Sequence, residues 1–152
     1  MTNRTEGGLP ATHREVRLAA RPQGPVTDDL FEVAEVPVPR PGPGQVLVRN
    51  TTMAVAAVMR TLMDEVTAVP MPSFVVGEPL YGSAIGVVVE APGTDLTPGD
   101  LVEHHFGWRE YALVDATAVQ RRDRDLLPTR PRTSPRSHRL HGGGTRCRST
   151  RG

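Results

Sequence analysis

The stretch that most limits the folds open to this chain runs from Val75 to Val114, VVGEPLYGSAIGVVVEAPGTDLTPGDLVEHHFGWREYALV. Its apolar runs are short and β-branched, Gly and Pro interrupt them, and they recur about every ten residues, the pattern of a β-meander and not of helices. Between Val89 and Leu101 two turn signals stand close together, Pro92-Gly93 and Pro98-Gly99. Asp95 and Asp100 sit beside them, placed to hydrogen-bond local backbone. Two strands are expected to leave and return there, and the centre of the chain reads as β-rich.

Upstream, residues 1–14 are polar and contain glycine, which predicts a mobile tail. A first short strand is expected over Glu15–Ala20, followed by a loop over Arg21–Asp29 that carries two prolines. Phe31–Val38 alternates well enough for a strand with one face half buried. The segment PVPRPGPGQ ends it, because closely spaced prolines cannot donate ladder hydrogen bonds and the glycines allow positive φ. Gln45–Asn50 resumes an extended strand. From Met53 to Met63 the period changes: Val55, Val58, Met59 and Leu62 follow helical spacing, so one or two helical turns are expected to open out of the sheet.

A chain of 152 residues suffices for one domain with a real core, but not for two of ordinary size. Its single cysteine, Cys147, excludes an internal disulfide framework and makes a reducing compartment the default. The first residues contain no apolar leader core, and no apolar run approaches membrane-spanning length. The expected setting is therefore the cytoplasm, with no membrane partner. All 18 basic residues are Arg, which suggests a GC-rich coding sequence rather than selection for a particular partner. Their distribution is uneven: residues 1–120 hold 8 Arg against 15 acidic residues, and residues 121–152 hold 10 Arg against 2 Asp. An acidic body has been joined to a basic tail.

The run GEPLYGSAIGVVVEA followed by TPGDLVEHHFGWREYALVD resembles the N-terminal, GroES-like domain of the medium-chain dehydrogenase/reductase superfamily. Within it the likeness is to the zinc-independent, NADP-dependent reductases that include the prostaglandin and alkenal double-bond reductases. LAARPQGPVTDDLFEVAEVPVPRPGPGQVLVRN resembles that family's opening strands, and AVMRTLM its cleft-forming segment. The resemblance covers roughly Val16 to Pro128 and implies a mainly β fold: a GroES-like, partly open barrel with a short helical segment. The implied domain is 15–128, between an N-terminal tail and a disordered Arg-rich tail, 129–152.

Such enzymes pair this domain with a dinucleotide-binding domain, so a complete member is expected to be about twice as long on ordinary domain sizes. They transfer hydride from NADPH to an activated C=C or C=O, with a small-molecule substrate held between the domains. The resemblance therefore implies a truncated fragment that is inactive alone and binds NADP(H) weakly if at all; its cofactor-binding residues are unknown and no catalytic residue is assigned. It also implies that Val58, Met59 and Arg60 line the substrate cleft. Ala56, Ala57 and Val58 stand where the family usually bears Asp, Pro and Tyr, while Met59 and Arg60 match. The competing reading has Val58 and Met59 as plain core and Arg60 as a solvated end.

Zinc-dependent relatives would place a Cys in the cleft segment and Gly-His-Glu near residue 77. This chain has Gly77 and Glu78 without the His and no Cys before Cys147, so no metal site is expected. Adjacent strand residues point to opposite faces, so His104 and His105 cannot readily share an ion. They read as strand-edge or loop histidines, one of which can touch the cleft. Trp108 and Tyr111 are expected to pack at the domain's rim, Trp108 in a structural Gly-Trp turn.

After Pro128 the chain continues TRPRTSPRSHRLHGGGTRCRSTRG, without periodicity and with hardly an apolar residue. Such a segment cannot bury enough surface to offset its ordering entropy. Gly142–Gly144 is no dinucleotide fingerprint, since no apolar strand precedes it. Three readings compete: out-of-frame translation of GC-rich DNA, a polyanion- or nucleic-acid-binding arm that lacks aromatic residues for base stacking, and metal capture by His138, His141 and Cys147. A further alternative makes the folded part a stand-alone interaction module, self-associating through sheet edges and bare apolar surface.

Overall fold

The computed structural model describes residues 8–123. Seven strands and one short helix follow in the order β1 (Thr12–Leu18), β2 (Phe31–Pro37), β3 (Gln45–Met53), α1 (Val58–Leu62), β4 (Ala84–Glu90), β5 (Leu101–His104), β6 (Tyr111–Asp115) and β7 (Gln120–Arg122). The expected mainly β architecture with a short helical segment is what forms. The tail expectations for 129–152, including His138, His141 and Cys147, lie outside the described residues.

The strands make two antiparallel sheets, a β1-β2 pair and a five-stranded sheet of order β6-β3-β4-β5-β7. This corrects the meander. β4 and β5 pair as neighbours, but β6 crosses to the far side of the sheet and pairs with β3, in register from Gln45 opposite Asp115 to Arg49 opposite Tyr111. The physical reason lies in the turn Phe106–Glu110, which carries the chain away from β5 instead of folding it straight back. Strand limits shift as well. β1 starts at Thr12 and ends at Leu18, because its register with β2 begins at the Thr12–Pro37 pair. β3 runs past Asn50 to Met53 because β4 extends to meet it, with ladder irregularities after Leu47 and Asn50.

The sheets do not close into a barrel. The β1-β2 pair instead docks on irregular segments: Val16 N–H donates to Trp108 O at 2.8 Å, Leu80 N–H to Val16 O at 2.9 Å, and Glu110 N–H to Arg14 O at 3.0 Å. Backbone groups unpaired by the short sheet are thereby satisfied. The Pro-Gly turns fall where expected, with Gly93 and Gly99 at φ of 67° and 95°. Asp100 caps its turn by accepting from Thr97 N–H at 3.0 Å. In the other turn Thr94, not Asp95, bonds the backbone, donating to Ala91 O and accepting from Leu96 N–H.

Two apolar clusters form the core. Val46, Val48, Val88 and Val102 meet on one face of the large sheet, a consequence of period-2 alternation on paired strands. Leu18, Leu30, Leu62, Met63, Phe74 and Leu80 form the second cluster beneath α1. Five residues are too few for a self-sustaining helix, so α1 depends on its surroundings. Leu62 and Met63 are buried, Phe74 N–H donates to Leu62 O at 2.7 Å, and the Arg21 guanidinium donates to Met63 O and Phe74 O. Arg21 thus satisfies carbonyls at the helix end, a common role for a cation there. This clamp is what fixes α1, and with it the cleft.

Candidate functional site

A cleft of about 390 Å³ opens between α1, the end of β3 and the Tyr81–Ser83 segment. Its volume is within the range of small-molecule sites. Val58, Met59 and Leu62 come from α1, Ala54 and Ala56 from the irregular approach to it, Met71 from the following loop, and His105 from beyond β5. A second cavity of about 210 Å³ lies on the other side of Met59, between Phe31, Phe74, Leu80 and Trp108. Met59 and Ala56 border both.

Of the three residues expected in the cleft, Val58 and Met59 line it, and Arg60 does not. Arg60 borders the smaller cavity, and its guanidinium is held to Asp64 at 2.9 Å, one helical turn on, with a longer contact to Gly24 O. The chain turns just past the Met63 C-cap, with Asp64 N–H donating to Thr61 O at 3.2 Å, and this brings the Asp64 carboxylate to Arg60. No arginine among the described residues lines the cleft, and its mostly apolar wall is suited to a neutral, largely apolar molecule.

The two histidines differ in burial: His104 ends β5 and is interior, not at an edge, whereas His105 lies just beyond the strand. His104 is 1% exposed, while His105 is exposed and borders the cleft. His104 Nδ1 accepts from Phe106 N–H at 3.0 Å, so its Nε2–H must donate to Asn50 Oδ1 at 2.8 Å. Asn50 in turn donates through Nδ2 to Phe106 O and Arg109 O at 3.0 and 2.9 Å. Burial first, then the neighbouring positive charges of Arg109 and His105, push the His104 pKa down to about 4, against a smaller opposing influence of Glu103. The imidazole is consequently neutral, and a metal-ligating role is closed to it because both ring nitrogens are used. This Asn50–His104 unit shapes the Phe106–Glu110 turn.

Burial also lowers the pKa of Arg109, whose guanidinium lies 5.5 Å from the Phe106 ring centroid and donates to Leu80 O and Gly107 O. Glu103 is held low by hydrogen bonds from Arg122 and Ser83. Tyr81 is pushed up by burial; its hydroxyl donates to Pro72 O and its ring meets Phe74 edge-on. The hydroxyls of Tyr81 and Ser83 are thus committed to the protein itself.

Trp108 stacks on Phe31 with rings nearly parallel and 6.5 Å between centroids, as expected of a packing residue. It also adopts φ of 58°, the one non-glycine residue at positive φ among those described. Its backbone N–H donates to Met53 Sδ at 3.3 Å. The indole Nε1–H is buried with no acceptor among the described residues. Tyr111 packs edge-on against His13 at 6.0 Å.

Sequence reasoning missed Tyr81, Ser83, Met71 and Asn50. Periodicity cannot find them, since three lie in irregular backbone and Asn50 looks like an ordinary strand end. Gly82 was visible only as a break before an apolar run; its meaning is spatial. A Cβ there would lie 2.7 Å from Met59 Cε and 3.7 Å from Trp108 Nε1. Among the described residues no three His, Cys, Asp or Glu side chains converge to hold a metal ion.

Residues 14–121 match the family model described as the N-terminal domain of oxidoreductase. Among curated proteins, the chain is 35% identical over 121 residues to YfmJ of Bacillus subtilis, a candidate NADP-dependent oxidoreductase, covering 79% of this chain and 35% of that protein. It is 33% identical over 96 residues to the NADPH-dependent curcumin reductase of Escherichia coli, covering 63% of this chain and 28% of that protein. The chain thus spans about a third or less of the length of these relatives. Among solved structures, CurA from Vibrio vulnificus superposes with a TM-score of 0.68 at 24% identity, over 72% of this chain and 32% of that one. CurA has also been solved in complex with NADPH.

Proposed function

This chain belongs to the family of oxidoreductase N-terminal domains, and on that premise we propose that it supplies the substrate-holding wall of an NADP-dependent, zinc-independent reductase that passes hydride to an activated C=C or C=O. The apolar cleft around Val58 and Met59 is the observation that carries this reading. Its lining matches a neutral carbon skeleton, and it lies in the segment whose Met59 and Arg60 match the reductase pattern. Arg60, tied to Asp64, is turned away from the cleft and does not touch the substrate.

The described residues do not fit the cofactor's diphosphate. No glycine-rich turn opens onto a helix N-terminus, the one α-helix is five residues long with uncapped Ala57 before it, and no arginine borders the cleft. The nicotinamide cofactor is therefore gripped elsewhere in a complete enzyme, and this polypeptide alone is inactive. Incubation of the purified chain with NADPH and an enone tests both statements. No saturable loss of NADPH absorbance is expected, and its appearance overturns the reading.

A second reading rests on the exposed apolar residues Val55, Val66 and Val75, which are 73%, 85% and 53% exposed. These suit an interaction module. A defined dimer in size-exclusion chromatography favours it; soluble aggregates or a monomer favour the fragment.

A further inference from the structure

We infer that the Trp108 indole N–H is a concealed hydrogen-bond donor for the carbonyl oxygen of a neutral, apolar ketone entering the cleft, with the Met59 methyl group as a movable stopper over it. The inference rests on the reading of the cleft as a substrate site and names the group that would recognise the substrate's oxygen.

Three observations meet at one point. The indole Nε1–H is buried and lacks an acceptor among the described residues. A buried donor left unpaired is costly, and a native structure that retains one calls for an explanation. Next, a flexible side chain stands beside the donor on the cleft side: Met59 borders both cavities, and from the Cβ position of Gly82 its Cε is 2.7 Å away and Trp108 Nε1 3.7 Å. Met is unbranched and rotates readily, so its methyl can leave without moving backbone. Glycine at 82 leaves the approach open where any other residue would plug it. Finally, Trp108 is held at φ of 58°, a conformation a bulky residue adopts only when its surroundings impose it. They do so through Val16 N–H on Trp108 O and Met53 Sδ on its N–H.

Apart from His105, which also borders the cleft, the polar groups near the cleft do not compete for this role. Tyr81 and Ser83 hydroxyls are engaged with Pro72 O and Glu103, and Arg60 is turned to Asp64. The ligand class follows: an apolar body for the walls and one acceptor oxygen for the indole, with no charge.

The chain contains a single Trp, so one indole cross-peak reports the contact in a 1H–15N spectrum of the full chain. The probes are 2-heptanone and 2-methyl-1-heptene, which differ only by C=O against C=CH2. Both should shift the amide peaks of Met71 and His105, but only the ketone should move the indole peak downfield, with affinity roughly two- to tenfold above that of the alkene. Gly82→Ala, whose Cβ fills the approach 3.7 Å from Trp108 Nε1, should abolish the indole response and the preference; Trp108→Phe should equalise the two affinities. If the cleft amides respond and the indole peak treats both probes alike, the donor role is overturned while the cleft reading stands. If neither probe moves the cleft amides, both are overturned.

Discussion

Lowering the pH should destabilise this domain through His104. The ring is 1% exposed, accepts from Phe106 N–H and donates to Asn50, and its pKa stands at about 4. In the unfolded chain an unperturbed His titrates near 6.5. Between those values the unfolded state binds the extra proton and the folded state does not, so stability rises with pH across that window and falls on acidification. Linkage puts the loss at about 1 kcal/mol at pH 6, about 2 at pH 5 and about 3 at pH 4, relative to neutral pH. Protonating the ring in place would turn Nδ1 from acceptor to donor against Phe106 N–H, which is why the folded state resists it. Urea unfolding followed by Trp108 fluorescence at each pH measures the effect. Glu103 and Glu110, both held low by Arg partners, also lose stabilisation in acid, so the control is His104→Gln, which retains every carboxylate. That variant should be less stable by roughly 1–3 kcal/mol at neutral pH, for the orphaned Phe106 N–H, and the gap should close as pH falls to 4. Parallel pH curves for the two proteins would refute the argument.

Gly86→Ala should cost roughly 3 kcal/mol or more, read from the denaturation midpoint, because its Cβ would lie 2.4 Å from Val48 Cγ1 and 2.6 Å from the Arg49 carbonyl, where backbone cannot yield. Leu62→Ala should cost about 2–5 kcal/mol and loosen α1, seen as faster amide exchange at Met63 and Asp64, since burial beneath the helix is what holds it. Arg122→Ala removes a half-exposed pair with Glu103 that joins β7 to β5. It should cost no more than about 1 kcal/mol, shrinking in high salt; an unchanged effect in salt would mean the pair is not electrostatic.

The strands were legible where the solvent and core faces alternate or where Gly-Pro pairs mark the ends, as at Phe31–Pro37 and Ala84–Glu90. Val58 and Met59 were placed in the cleft by the resemblance of their segment to the family's, and both border it in the structure. Arg60 misled because residue identity does not reveal that Asp64, four positions on, will hold its guanidinium. Asn50, Tyr81 and Gly82 left no trace in periodicity, because their partners are 54, 9 and 23 to 26 positions away in the chain.

Local sequence therefore determined the kind of structure: short β-branched runs can bury one face only by pairing, and closely spaced prolines and glycines dictate where they stop. The resemblance added the family. Tertiary structure alone decided which strands pair, sending β6 across to β3. It also decided that His104 is buried and neutral while His105 faces the cleft, and that a tryptophan chosen for packing keeps an unanswered N–H behind a methionine. Those outcomes depend on contacts between residues far apart in the chain, whose energies no local pattern records.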